Sequence, residues 1–132
     1  MLKVGDHYEE DFMVSDDVHQ QFIVLFDDKN PMHTDSAYAK SHGYADKIMH
    51  GNILNGFLSY FIGEKMPFKN VVILSQKIRF NNPIYANTEV RLSATVSGSY
   101  AEDTVYEFKF KFIDKSEKTI FAKGSIQIKR LT

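Results

Sequence analysis

Between Asp28 and His33 the chain reads Asp-Lys-Asn-Pro-Met-His, and a His50-Gly51 pair follows just ahead of an apolar run. A carboxylate and an imidazole held together can accept and return protons near neutral pH, because the unperturbed histidine pKa lies at about 6.5. The Asn30-Pro31 step determines how they are presented. The proline ring crowds the residue before it, keeps Asn30 out of helical geometry and removes one backbone donor. Asp28 and His33 are therefore expected on a stiff, bent loop that breaks any helix entering it.

The elements that must position this loop can be read on either side of it. Residues 7 to 14 suit a short first strand. Ser15, followed by Asp16 and Asp17, predicts a helix start, with a capping hydroxyl and then acids against the positive helix end. Val18, Phe22, Leu25 and Phe26 are its expected buried face. Thr34 or Asp35 is placed to cap a second short helix through Ala37, Tyr38 and Ala39, ended by Gly43. From about 51 to 66, Ile53, Leu54, Phe57, Leu58, Phe61 and Ile62 recur over nearly the whole helical circumference, which predicts a buried helix closed by Pro67.

Beyond residue 70 the period changes to alternation. Leu74, Gln76, Ile78 and Phe80 mark one strand, and Val90, Leu92, Ala94 and Val96 the next. Tyr106, Phe108, Phe110 and Phe112, then Ile120, Ala122, Gly124, Ile126 and Ile128, mark the last two. The segments SGSYAED and DKSEK are short enough for antiparallel hairpins, while Pro83 to Thr88 is a longer link. Strands of this length reach roughly 27 Å, sufficient to wrap one buried helix.

Composition limits the alternatives. A chain of 132 residues, 43% apolar and 25% charged, suits a single soluble domain spanning 1–132. Its net charge of -1 comes from 16 basic and 17 acidic residues with no block of either sign, so nucleic acid and anionic lipid are not expected partners. The absence of cysteine excludes disulfides, thiolate nucleophiles and zinc-thiolate sites. The first residues, MLKVGDHYEED, are acidic where a signal peptide needs an apolar core, and FIVLF and VVIL are too short to span a bilayer. A cytoplasmic protein is the expectation.

The sequence D-x-N-P-x-H, followed by I-x-H-G at the head of a buried helix and a long alternating region, resembles the MaoC-like dehydratases and (R)-specific enoyl-CoA hydratases. By average residue usage, the four specified positions recur by chance on the order of once in several thousand such chains. The likeness extends through Asp35, Ala39, Ile48, Ser59, Pro67, Gln76, Phe80 and Pro83, nearly the whole length. It implies an α+β hotdog fold, a long antiparallel sheet wrapped around a central helix with a helical overhang carrying the site.

The resemblance also implies a function. Asp28 and His33 become the catalytic pair, holding a water that adds across a 2-enoyl thioester or leaves an (R)-3-hydroxyacyl thioester. Gly51 contributes a backbone N–H to the developing oxyanion at a helix start, where glycine permits close approach. Asn30 sits beside it as a substrate-binding or orienting residue. Ser59 joins Asn30 in orienting the Asp28 carboxylate, His50 anchors the loop to the helix, and Gln76 is a further supporting candidate. No metal and no cofactor is implied. The substrate is an acyl thioester of coenzyme A or of an acyl carrier protein, and the assembly a homodimer or a multiple of it.

Departures from the pattern are few. Phe26 stands where relatives often carry a small or hydroxyl residue, and Asn87 where many have glycine, although asparagine tolerates left-handed geometry. A calcium loop is excluded by Met32 at a ligand position, and a histidine zinc site by the spacing of His42 and His50. A hotdog thioesterase commonly takes a carboxylate from the central helix, which here offers only Glu64. A non-catalytic acyl-thioester-binding or assembly subunit would be expected to lack Asp28 or His33, and both are present.

Overall fold

Alternation from Thr88 to Arg130 gives long β-strands because every second side chain has an apolar surface to face. The computed structural model describes residues 1–132. In chain order its elements are β1 (His7–Val14), α1 (Asp16–Phe26), α2 (Pro31–Thr34), α3 (Ser36–Ser41), α4 (Asn52–Lys65), β2 (Val71–Phe80), β3 (Thr88–Tyr100), β4 (Val105–Asp114) and β5 (Ile120–Arg130). All the strands join one antiparallel sheet in the order β1-β3-β4-β5-β2. The segments SGSYAED and DKSEK connect β3 to β4 and β4 to β5, as the hairpin reading expects. The Pro83 to Thr88 link does more than turn. It carries the chain from β2 at one edge of the sheet to β3 near the other.

The sheet's inner face and α4 share one core. Ile53, Leu54, Leu58, Phe61 and Ile62 of α4 are buried with Leu92, Val96, Phe108 and Phe112 of the sheet. Phe61 meets Phe108 edge to face with ring centroids 6.2 Å apart. Burying such a side chain contributes about 1.5–3 kcal/mol, so the five buried side chains of this one helix are a large share of the core's stabilisation. At Gly124 the strands approach closely: a Cβ there would lie 1.9 Å from the Lys77 carbonyl oxygen of β2. Any side chain at that position would push β2 off β5.

Local signals agree with the elements they start. The Ser15 side chain accepts a hydrogen bond from Val18 N–H at 3.1 Å, and Asp35 caps α3 through Tyr38 N–H at 3.1 Å. Asn87 takes the left-handed conformation expected of it, φ 61°, and donates its N–H to the Val14 carbonyl at 2.7 Å.

The structure corrects several expectations. On α1, Leu25 and Phe26 are 74% and 63% exposed, and the buried residue is His19. The helix ends at Asp27 in left-handed geometry, and its final turn is open to solvent before the loop begins. Likewise α4 is not buried all round, because Asn52, Gly56, Ser59, Tyr60 and Gly63 form an exposed face of small and polar residues. The alternation in β2 is broken by a register shift between Ile73 and Ser75, leaving Leu74 half exposed. Pro31–Thr34 forms a helical turn where the Asn30-Pro31 step predicts a non-helical loop, because Pro31 occupies its first position.

Candidate active site

The loop after α1 is built by its own short-range bonds. The Asn30 side-chain oxygen accepts from Met32 N–H at 2.9 Å and so caps α2, whose first residue is Pro31. Asn30 N–H donates to Asp28 Oδ1 at 3.3 Å. Asn30 thus touches the carboxylate through its backbone, and its side chain is committed to the turn that carries His33.

His33 is fixed at its ring. Its Nδ1 lies 2.8 Å from the Ile48 carbonyl oxygen, which can only accept, so Nδ1 carries a proton and in the neutral ring the lone pair is on Nε2. This imidazole stacks on His50 with centroids 3.9 Å apart. His50 is buried and donates from Nε2 to the Asp28 backbone carbonyl at 3.0 Å, tying the loop to the head of α4. Burial, the larger effect, holds the His50 pKa below its ordinary value, with His33 adding to it and the Asp28 contacts opposing.

A further histidine completes the stack. His19 of α1 is fully buried, lies 5.2 Å from His50 ring to ring, and donates from Nε2 to the His33 carbonyl at 2.9 Å. Its pKa is also lowered, chiefly by burial. The Nδ1 atoms of both His19 and His50 are buried without a partner. Sequence reasoning missed His19. The available signal was a histidine on the apolar stripe of an amphipathic helix, between Val18 and Phe22.

Gly51 precedes α4 with φ -59° and ψ -33°, and its N–H has no protein acceptor. A Cβ here would sit 2.7 Å from the Phe80 ring, so any larger residue would have to displace that ring. His33, Gly51, Leu54, Phe80 and Ile84 line one cavity of about 340 Å³, so His33 and the residue at the head of α4 border the same space. One atom from each of Asp28, His33 and His50 lies within 4.8 Å of the others, a donor set a divalent cation could also use.

The remaining residues lie elsewhere. Gln76 donates to Asn55 Oδ1 at 2.9 Å, and Asn55 to Asn52 Oδ1 at 2.8 Å, forming a polar row beside the first turns of α4. Ser59 is exposed, its hydroxyl makes no hydrogen bond, and it stands two turns along α4, about 10 Å of helix from its head. The single chain does not bring Ser59 to Asp28.

This arrangement has relatives. The chain is 32% identical over 76 residues to an (R)-specific enoyl-CoA hydratase of Aeromonas caviae, covering 58% of this chain and 57% of that one. It is 28% identical over 90 residues to a mitochondrial 3-hydroxyacyl-[acyl-carrier-protein] dehydratase of Arabidopsis thaliana, covering 68% and 53%. These matches span little more than half the relatives' lengths. Among solved structures, the (R)-hydratase of A. caviae involved in PHA biosynthesis superposes with a TM-score of 0.88 over 98% of each chain at 22% identity. Protein af1124 of Archaeoglobus fulgidus gives 0.89 at 24% identity, over 99% of this chain and 80% of that one. The fold is the α+β hotdog the sequence implied. The profile of the MaoC like domain matches residues 4–115, and the chain belongs to that family.

Proposed function

We propose that this chain is an acyl-thioester hydratase or dehydratase, catalysing reversible syn addition of water to a 2-enoyl thioester to give the (R)-3-hydroxyacyl thioester. One observation carries this reading. The His33 tautomer is set by the Ile48 carbonyl, leaving Nε2 as a base on a cavity that also holds the unpaired Gly51 N–H. In hydration, Nε2 takes a proton from water as its oxygen bonds to C3. The electron pair of the double bond moves toward the thioester oxygen, where the Gly51 N–H meets the developing charge. The proton taken up by Nε2 is then passed by way of Asp28 to C2, which restores the carbonyl and returns both side chains to their starting protonation states. Dehydration is the reverse.

The substrate class, an acyl thioester on coenzyme A or on a carrier protein, follows from the relatives' names. Turnover is measured by loss of the conjugated enoyl-thioester absorbance, with chiral analysis of the product. An (S) product, or no turnover on any chain length, would refute the assignment.

We further infer a homodimer or a multiple of it. Both edge strands, β1 and β2, carry unpaired backbone groups, and β2 exposes Val72, Ile73 and Leu74. No helix is long and apolar enough to cross a membrane.

A further inference from the structure

The nearly neutral sequence hides an uneven distribution. Lys77 and Arg79 of β2, Lys109 and Lys111 of β4, and Lys123 of β5 all project from the outer face of the sheet, opposite α4, and line a broad shallow depression. All are exposed, and none makes an ion pair. The register sharpens the point. Lys111 lies directly opposite Lys123, and Lys123 directly opposite Arg79, so one cross-strand row is cationic from β4 through β5 to β2. Like charges in directly opposed positions destabilise a sheet. The next row, Lys109, Ser125 and Lys77, adds cations about 7 Å away along the strands and no acid.

The flanking carboxylates are engaged elsewhere. Glu107 bonds to Ser97 and Gln127, and Glu9 to His7 and Arg91. They bound the patch at both ends, making it too short for the phosphate track of a duplex. Within it, cations repeat at about 5 Å across strands and about 7 Å along them, which suits carboxylates presented at successive turns of a helix. Most are lysines, whose hydrated point charges favour steering by an opposed acidic surface over bidentate grip on phosphate. The patch lies across one strand from the site: Arg79 directly precedes Phe80, whose ring lies against Gly51 and lines the His33 cavity, so the two face opposite sides of the edge strand β2 and an arm held on the patch reaches the cavity around that edge.

We infer that the outer sheet face is a docking surface for an acidic protein domain, a carrier that presents the tethered acyl thioester at the β2 end of the His33 cavity. This rests on the thioester reading above. Docking is polar, so it is salt-sensitive and acts on carrier-borne substrate alone.

The test compares one 2-enoyl group on coenzyme A and on an acidic acyl carrier protein, using wild type and the double variant Lys111→Glu, Lys123→Glu. These side chains lie outside the catalytic machinery. The variant is expected to raise KM for the carrier-borne substrate by about tenfold or more and to leave coenzyme A kinetics unchanged. In wild type, raising salt from about 50 to about 500 mM should reproduce the effect. Unchanged KM on the carrier would overturn the inference, as would tighter binding of a duplex oligonucleotide than of the carrier.

Binding of the carrier without its acyl group, followed by calorimetry, separates the two readings. Binding that the variant abolishes supports docking even if no thioester is turned over, in which case the hydratase assignment fails alone. Absence of binding overturns docking and leaves the hydratase assignment standing.

Discussion

Replacing His19 with leucine should loosen the turn that carries His33 without touching the cavity. The imidazole is fully buried and its bond to the His33 carbonyl, 2.9 Å long, is its one hydrogen bond. Leucine fills similar space, so the cavity contribution is small, while the His33 carbonyl loses its partner at about 1–3 kcal/mol. Removing the unpartnered Nδ1 offsets part of that loss. The net destabilisation is about 1 kcal/mol, a fall in Tm of roughly 3–4 °C for a domain of this size. A small shift of His33 weighs more on rate than on folding, so kcat should drop about tenfold with KM nearly unchanged. Differential scanning calorimetry and initial rates on an enoyl thioester measure the two effects. His19→Gln, which keeps a donor, should recover part of the rate. Wild-type turnover and Tm in His19→Leu would refute the idea that this buried histidine holds His33 in place.

Asp28→Asn and His33→Ala should each lower kcat by about 100-fold or more with the fold intact by circular dichroism, and the double variant should cost little more, since both act on one water. Normal turnover in a folded Asp28→Asn protein would sink the assignment. Gly51→Ala drives a Cβ to within 2.7 Å of the Phe80 ring and should lower kcat/KM by about tenfold, with Phe80→Ala partly restoring it; no loss in Gly51→Ala would count against a crowded oxyanion site. Both His19 and His50 have pKa values lowered in the folded state, chiefly by burial. The unfolded chain therefore binds more protons below about pH 6.5, and stability should fall as pH drops through that range, a trend urea titrations at several pH values would detect and His19→Leu should weaken. Sedimentation at micromolar concentration should give twice the chain mass or a multiple of it, and a fully active monomer would overturn the dimer.

The parts of this molecule that were legible beforehand are those fixed by local chemistry. The Ser15 and Asp35 caps, the Asn30-Pro31 turn and the left-handed Asn87 depend on residues within a few positions, and each appears where its type requires. Strand alternation was legible for β3 and β4 because both lie inside the sheet with one face against α4. It was less so for β2, an edge strand with a bulge, where neither face has a full set of neighbours. His19 escaped notice for a different reason. Its value comes from a bond to a residue 14 positions away, and periodicity marks it only as an oddity on an apolar stripe.

The misplaced burial assignments share a cause. Leu25 and Phe26 on α1, nearly the whole circumference of α4 and Leu74 on β2 are expected in a core from their spacing, yet the single chain leaves Leu25, Phe26, one side of α4 and Leu74 open. A hydrophobic pattern records what a sequence buries in its working state, which includes any assembly it forms. Contiguous exposed apolar surface beside unpaired strand edges is unusual for a protein that works alone. Ser59 belongs to the same set: expected beside Asp28, it lies about 10 Å along α4 from the residues that hold that loop. The carboxylate itself is half exposed, with a side-chain accessibility of 47%. A proton-transferring carboxylate and a thioester enolate both gain from exclusion of water, because charge is stabilised by fixed donors more strongly in a dry site than in a wet one. The single chain fixes the groups proposed to perform the chemistry and leaves their shelter unfinished, which is the physical reason for proposing that assembly and turnover are linked.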